Sequence, residues 1–178
     1  MARLIALLRA VNVGGRKLPM AGLRALCAEL GWEDVATYIQ SGNLVFRATG
    51  NTGGHEEKLE AALETRLGLD VPVIVRTSAQ WAHLVAANPF PEVAEAEPNR
   101  LQLLVSKRPP DGEAAAKLME RARAGEVVEA AGGALWFHFP EGVGTSKLTP
   151  ALIDKAAGSP STSRNWRTVV KLKEMSEA

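Results

Sequence analysis

The sequence predicts an α+β protein whose two halves share the element order βαββα. Three observations carry that reading. Short apolar runs of strand length alternate with stretches of helical periodicity, and each half holds one Gly-containing turn between two β-branched or aromatic runs. The order of these signals then partly recurs after residue 99. At 178 residues, with 46% apolar and 23% charged content, the chain is long enough to bury its own core and too apolar for disorder.

Residues 4–8, Leu-Ile-Ala-Leu-Leu, form a continuous apolar run with no small-residue cleavage site, too short for a membrane span, and read as a buried central strand. The loop Asn12, Val13, Gly14, Gly15, Arg16, Lys17 follows. Pro19 suits a first helical turn, after which Met20, Leu23, Leu26, Cys27 and Leu30 make one stripe that Gly31 ends, so Cys27 is expected to face the core. Thr37-Tyr38-Ile39-Gln40 and Leu44-Val45-Phe46 flank Ser41-Gly42-Asn43, a hairpin signal because Gly supplies the positive φ of a tight turn. A helix carrying Leu59, Leu63 and Leu67 leads to the strand Val73-Ile74-Val75. That order, βαββαβ, is the ferredoxin-like unit.

Next come a helix begun by Ser78, a Pro-rich acidic stretch from Asn88 to Asn99, a strand at residues 101–105 and a helix around Leu118 and Met119. A hairpin turning at Gly132-Gly133 joins Val127-Val128 to residues 135–139, and helices follow near Leu152 and from Arg164 onward. The second half thus reads as ferredoxin-like βαββα, with a closing C-terminal helix in place of a last strand. Antiparallel sheets are expected in both halves, which span residues 1–87 and 98–178 and are joined by residues 88–97.

One cysteine, Cys27, excludes an internal disulfide and any thiolate cluster, which fits a reducing cytoplasm. His55, His83 and His138 lack ligand spacing, so no metal is expected. The net charge of +1 conceals two basic blocks. Residues 1–28 hold Arg3, Arg9, Arg16, Lys17 and Arg24 with no acid. Residues 143–173 hold Lys147, Lys155, Arg164, Arg167, Lys171 and Lys173 against Asp154 alone.

Several strings resemble the bacterial family known as domain of unknown function 1697. They are residues 6–15 (Ala-Leu-Leu-Arg-Ala-Val-Asn-Val-Gly-Gly), residues 37–43 (Thr-Tyr-Ile-Gln-Ser-Gly-Asn), Asn88-Pro89-Phe90, Ser146-Lys147 and residues 163–168 (Ser-Arg-Asn-Trp-Arg-Thr). The resemblance spans the chain, with one departure: Ala10 stands where Gly is expected. It implies an intracellular, two-part ferredoxin-like α+β fold. It brings no activity, cofactor or catalytic residue with it, so the chemistry must come from the residues.

In a ferredoxin-like unit the loop after strand one and the turn after strand two share a sheet edge. This would gather Arg9, Asn12, Gly14, Gly15, Arg16 and Lys17 beside Gln40, Ser41 and Asn43, with the helix start near Pro19 pointing the same way, an arrangement suited to a phosphate-sized anion. The second block adds Ser146, Lys147, Arg164, Asn165 and Arg167, and the two blocks are expected to converge. No phosphate-loop motif is present, since Gly142, Gly144, Ser146 and Lys147 have the wrong order and spacing. Turn formation and solvated charge remain the plainer reading of the same residues.

In the C-terminal helix, Trp166, Val169, Val170 and Leu172 are expected on one face and Arg164, Arg167, Thr168 and Lys171 on the other. Arg164 and Arg167 in a first turn oppose the helix macrodipole, which points to a function or an acidic neighbour. Residues 135–139, Leu-Trp-Phe-His-Phe, could offer bases a stacking platform, but alternation places Leu135, Phe137 and Phe139 on one face, better read as core. There is no G-x-S-x-G elbow, no H-E-x-x-H and no close carboxylate pair, so enzymatic activity and any cofactor stay open.

The leading expectation is therefore a binder of a phosphate-bearing small molecule or nucleotide. The runner-up is a nucleic-acid binder using the same basic surface, with Trp136 or Trp166 stacking on bases. A third reading is a non-catalytic interaction module that uses the acidic residues Glu92, Glu95 and Glu97. No membrane partner is expected, and self-association is left open.

Overall fold

Residues 1–9 and 17–178 are described by the structure, a computed structural model of the chain. The architecture is mixed α+β, with two four-stranded antiparallel sheets. The chain divides into two units, Met1–Ala82 with Leu172–Ala178, and His83–Lys171.

The first unit runs β1 (Ala2–Leu8), α1 (Met20–Glu29), β2 (Glu33–Thr37), β3 (Asn43–Ala48), α2 (Thr52–Leu67) and β4 (Val73–Thr77), and α3 (Ser78–Ala86) begins in it. Its strand order is β2-β3-β1-β4. The apolar run of β1 earns its central place because it pairs on both edges, Leu7 lying opposite Asn43 and Leu8 opposite Val73. Leu4, Ala6 and Leu8 point to one core with Leu23 and Cys27 of α1 and Leu59 and Leu63 of α2. Ile5 and Leu7, on the other face, are buried as well, which accounts for a run without polar alternation. Each such leucine contributes roughly 1.5–3 kcal/mol by leaving water. Helix α1 stops where Gly31 adopts a φ of 79°, and α2 begins at Asn51, whose side chain accepts from the Gly54 N–H at 2.6 Å.

The second unit runs α4 (Pro91–Ala96), β5 (Leu101–Ser106), α5 (Ala114–Met119), β6 (Val127–Ala131), β7 (Ala134–His138), α6 (Pro150–Ala157), β8 (Ser161–Asn165) and α7 (Trp166–Glu177). Its strand order is β6-β7-β5-β8, the same arrangement as in the first unit. Leu135, Phe137 and Phe139 pack with Leu118 and Ala157, the two phenyl rings stacked 5.5 Å apart, so the aromatic strand is core on that face. Trp136, on the other face, is fully buried, and its indole donates to the Ala131 carbonyl at 3.3 Å.

Two expectations are corrected here. The second half does not replace its last strand with a helix: β8 pairs antiparallel with β5 from Ser161 opposite Ser106 to Asn165 opposite Gln102. Its residues, Ser-Thr-Ser-Arg-Asn, carry no apolar alternation, because an edge strand can be recruited by backbone hydrogen bonds alone. The C-terminal helix therefore starts at Trp166, and Arg164 lies in a strand rather than in a helical first turn. From Leu172 onward α7 belongs to the first unit, where Ser176 meets Ser78 with the hydroxyl oxygens 3.0 Å apart and the Met175 carbonyl accepts from Arg3 at 3.3 Å.

Candidate functional site

The first group of candidates gathers at the end of β1. The Leu8 N–H donates to the Gly42 carbonyl at 2.9 Å, and the Arg9 N–H donates to the Pro72 carbonyl at 3.0 Å. Arg9 therefore leaves the sheet between the β2–β3 turn and the start of β4. The turn is built around Asn43, which is fully buried and donates from Nδ2 to the Tyr38 carbonyl at 3.0 Å and to Ser41 Oγ at 2.9 Å. The Tyr38 N–H in turn donates to the Asn43 carbonyl at 3.1 Å. Asn43 thus holds the turn and does not present its amide outward.

Held in this way, the turn raises an exposed Gln40 and an exposed Ile39, the latter with a φ of 51°. Helix α1 is tied to the same end of the sheet by Arg24, whose Nη1 donates to Thr37 Oγ1 at 2.7 Å. Its N-cap, Pro19, offers no capping side chain, its first turn has no acidic residue, and the exposed Lys17 precedes it. Asn12, Gly14, Gly15 and Arg16 lie outside the described residues. The side chains of Arg9, Lys17 and Gln40 give this end of the sheet a cationic and hydrogen-bond-donating character, and residues 1–28 contain no carboxylate.

Ser146, Arg164, Asn165 and Arg167 of the second unit each have a local partner. Ser146 Oγ donates to Glu126 at 2.7 Å and accepts from the Leu148 N–H at 3.1 Å. Glu126, only 3% exposed, also accepts from the Arg123 and Ala124 N–H groups. Burial pushes its carboxyl upward, but the bonds from Ser146 and the backbone outweigh this and hold it below the usual carboxylate range. Arg164 is buried and donates to Thr162 Oγ1 at 2.7 Å and the Ser163 carbonyl at 2.8 Å. Burial lowers its guanidinium to about 10. Asn165 caps α7 by accepting the Thr168 N–H at 3.0 Å, and Arg167 donates from Nε to Asn99 Oδ1 at 2.9 Å. Lys147 is exposed. Thr168, expected on the cationic face of the helix, is instead buried, and its N–H donates to the Asn165 cap.

Sequence reasoning marked no role for Glu126 and weighed His55 only as a metal ligand. Glu126 directly precedes an apolar strand and has no motif to mark it. His55 is 2% exposed, set edge-on to the stacked rings of Trp32 and Phe46, and neither of its ring nitrogens has a hydrogen-bond partner. The buried Trp136 cannot stack on bases, which removes one of the two stacking residues of the nucleic-acid reading. Trp166 lies half-buried against it, ring centroids 6.0 Å apart. Burial pushes the Cys27 thiol up to about 12, so it is no nucleophile at neutral pH. Of the acidic trio, Glu97 faces its own unit, 3.5 Å from Arg100 and 3.3 Å from His138. Among the described residues no group of three or more His, Cys, Asp or Glu side chains could hold a metal, and no helix is long and apolar enough to cross a membrane.

A family model described as "Protein of unknown function (DUF1697)" matches residues 1–136. No curated protein matches the chain. Among solved structures, the conserved bacterial protein SP0830 from Streptococcus pneumoniae is similar over all of this chain and 99% of its own, with a TM-score of 0.73 and 23% identity. At that identity the likeness speaks for the fold alone.

Proposed function

The chain belongs to the DUF1697 family of proteins of unknown function, and we propose that it binds a phosphate-bearing small molecule or nucleotide at the end of β1 in its first unit. Arg9, Lys17 and Gln40 would contact the anion, Ser41 would line the turn, and Asn43 would hold that turn in shape. The observation that carries the reading is the Leu8 to Gly42 hydrogen bond, which sets the departing Arg9 beside the turn containing Gln40 and Ser41. Arg24 on Thr37 adds support by drawing the start of α1, with its acid-free first turn, to the same end. The same proposal takes each unit as a ferredoxin-like module of a cytoplasmic protein, in keeping with the two strand orders.

Thermal-shift titration with inorganic phosphate, pyrophosphate, nucleotides and sugar phosphates, with and without magnesium, tests it. A ligand at about a hundred times its Kd adds roughly 2.7 kcal/mol of stability, an easily read shift. Arg9→Ala and Lys17→Ala should each weaken the response. No stabilisation by any of these compounds at millimolar concentration overturns the proposal. Binding of short RNA or DNA that falls steeply with salt, without response to small phosphates, favours the nucleic-acid reading instead.

A further inference from the structure

Ile39 combines three features that no other residue among those described brings together. It is 53% exposed, it holds a φ of 51°, and it sits in the turn beside the departing Arg9. An exposed aliphatic side chain alone is ordinary, and Val143 and Leu67 are exposed to a similar degree. A positive φ alone is tolerated by short polar residues, as at Asp34, where φ is 50°. For a β-branched residue that conformation is strained, and Gly or Asn would be accommodated there at lower cost. The strain is maintained from outside Ile39: the buried Asn43 binds the Tyr38 carbonyl and Ser41 Oγ on either side of it, and Gly42 follows with a φ of 78°.

Resting on the phosphate-binding reading above, we propose that Ile39 is a specificity-determining residue, an apolar surface that receives a planar organic group carried on the phosphate. The ligand class is then a nucleotide or aryl phosphate rather than a free or sugar-borne phosphate. Covering Ile39 removes its exposed area from water, whereas a bare anion or a hydroxyl-rich sugar gains nothing from it. The turn, held by Asn43 and tied to the end of β1 through Gly42, fixes the backbone of Ile39, so that little ordering is left for the moment of binding.

The test compares inorganic phosphate, glucose 6-phosphate, phenyl phosphate and a nucleoside monophosphate by calorimetric titration of the full chain, in wild type, Ile39→Asn and Ile39→Gly. Both replacements suit a positive φ, so their melting temperatures should not fall, and folding can be verified separately. Wild type should prefer phenyl phosphate and the nucleotide over inorganic phosphate by about tenfold, the scale of one partly covered aliphatic side chain. Both variants should lose that preference and bind inorganic phosphate as before. If wild type binds all four compounds alike, or if the preference survives in the variants, the role of Ile39 is overturned while the phosphate site stands. If wild type binds none of them, the site itself fails and the inference falls with it.

Discussion

The Ser146 hydroxyl donates to the carboxylate of Glu126 at 2.7 Å, across twenty residues of chain, and that carboxylate is almost wholly out of water. Glu126 supplies the anion that the Arg123 and Ala124 N–H groups bind, and Ser146 pins the loop before α6 to it. Ser146→Ala should cost about 1–3 kcal/mol, the range for a hydrogen bond to a buried charge, and leave phosphate binding untouched. Because the folded carboxyl lies below its ordinary value of 4.5, its contribution is present above that pH and is lost as pH falls through the lower folded value. Urea melts of wild type and Glu126→Gln from pH 3 upward check this: the variant should lack that acid-side loss. Parallel curves would sink the idea.

His55 should set a second, milder acid sensitivity. Burial first, and the Lys58 cation second, hold its imidazole below the usual 6.5. The Thr49 backbone pulls the other way without meeting hydrogen-bond geometry at either nitrogen. The unfolded chain therefore takes up the proton first, so stability is full above pH 6.5 and declines as pH falls from there toward the folded value. His55→Phe keeps the edge contacts to Trp32 and Phe46 while removing two unpartnered nitrogens. It should stabilise by about 1–3 kcal/mol and flatten the profile below pH 6.5. An unchanged slope in the variant would count against it.

Arg164 is expected to behave as a structural group. Its replacement by Ala deprives Thr162 Oγ1 and the Ser163 carbonyl of a buried donor and should destabilise by about 1–3 kcal/mol. Arg164→Met keeps most of the aliphatic stem and should recover part of that loss. Phosphate titration of both variants, corrected for stability, should match wild type. A selective loss of affinity would instead return Arg164 to the binding site.

The Gly132-Gly133 turn offers an internally controlled comparison. Both glycines have positive φ, 64° and 81°. A Cβ on Gly133 meets nothing within 4 Å, whereas one on Gly132 comes within 2.9 Å of the Ala87 Cβ. Gly133→Ala should cost about 1 kcal/mol, the left-handed penalty alone, and Gly132→Ala clearly more, read from denaturant midpoints. Equal losses would mean that the β6–β7 turn yields at Ala87.

Where side chains alternate or recur along one element, the sequence was sufficient. The run of β1, the stripe that buries Cys27, and the hairpin at Gly132-Gly133 could be placed from residue types alone, because each element's buried face is written in its own periodicity. The strand expected over residues 37–40, by contrast, runs into the turn itself, and β2 lies earlier, at Glu33–Thr37. For the candidate site, residue types identified the cationic character of the β1 loop and the turn at Gly42. What only the tertiary structure decided was which polar groups have work inside the fold. Ser-Thr-Ser-Arg-Asn is a strand because β5 offers it a free edge, Arg164 is buried because it lies in that strand, and Ser146 answers a carboxylate twenty residues away. These outcomes rest on backbone pairing and hydrogen bonds between distant segments. A polar side chain carries no local mark of the partner it will find, whereas an apolar one carries its preference for burial wherever it stands.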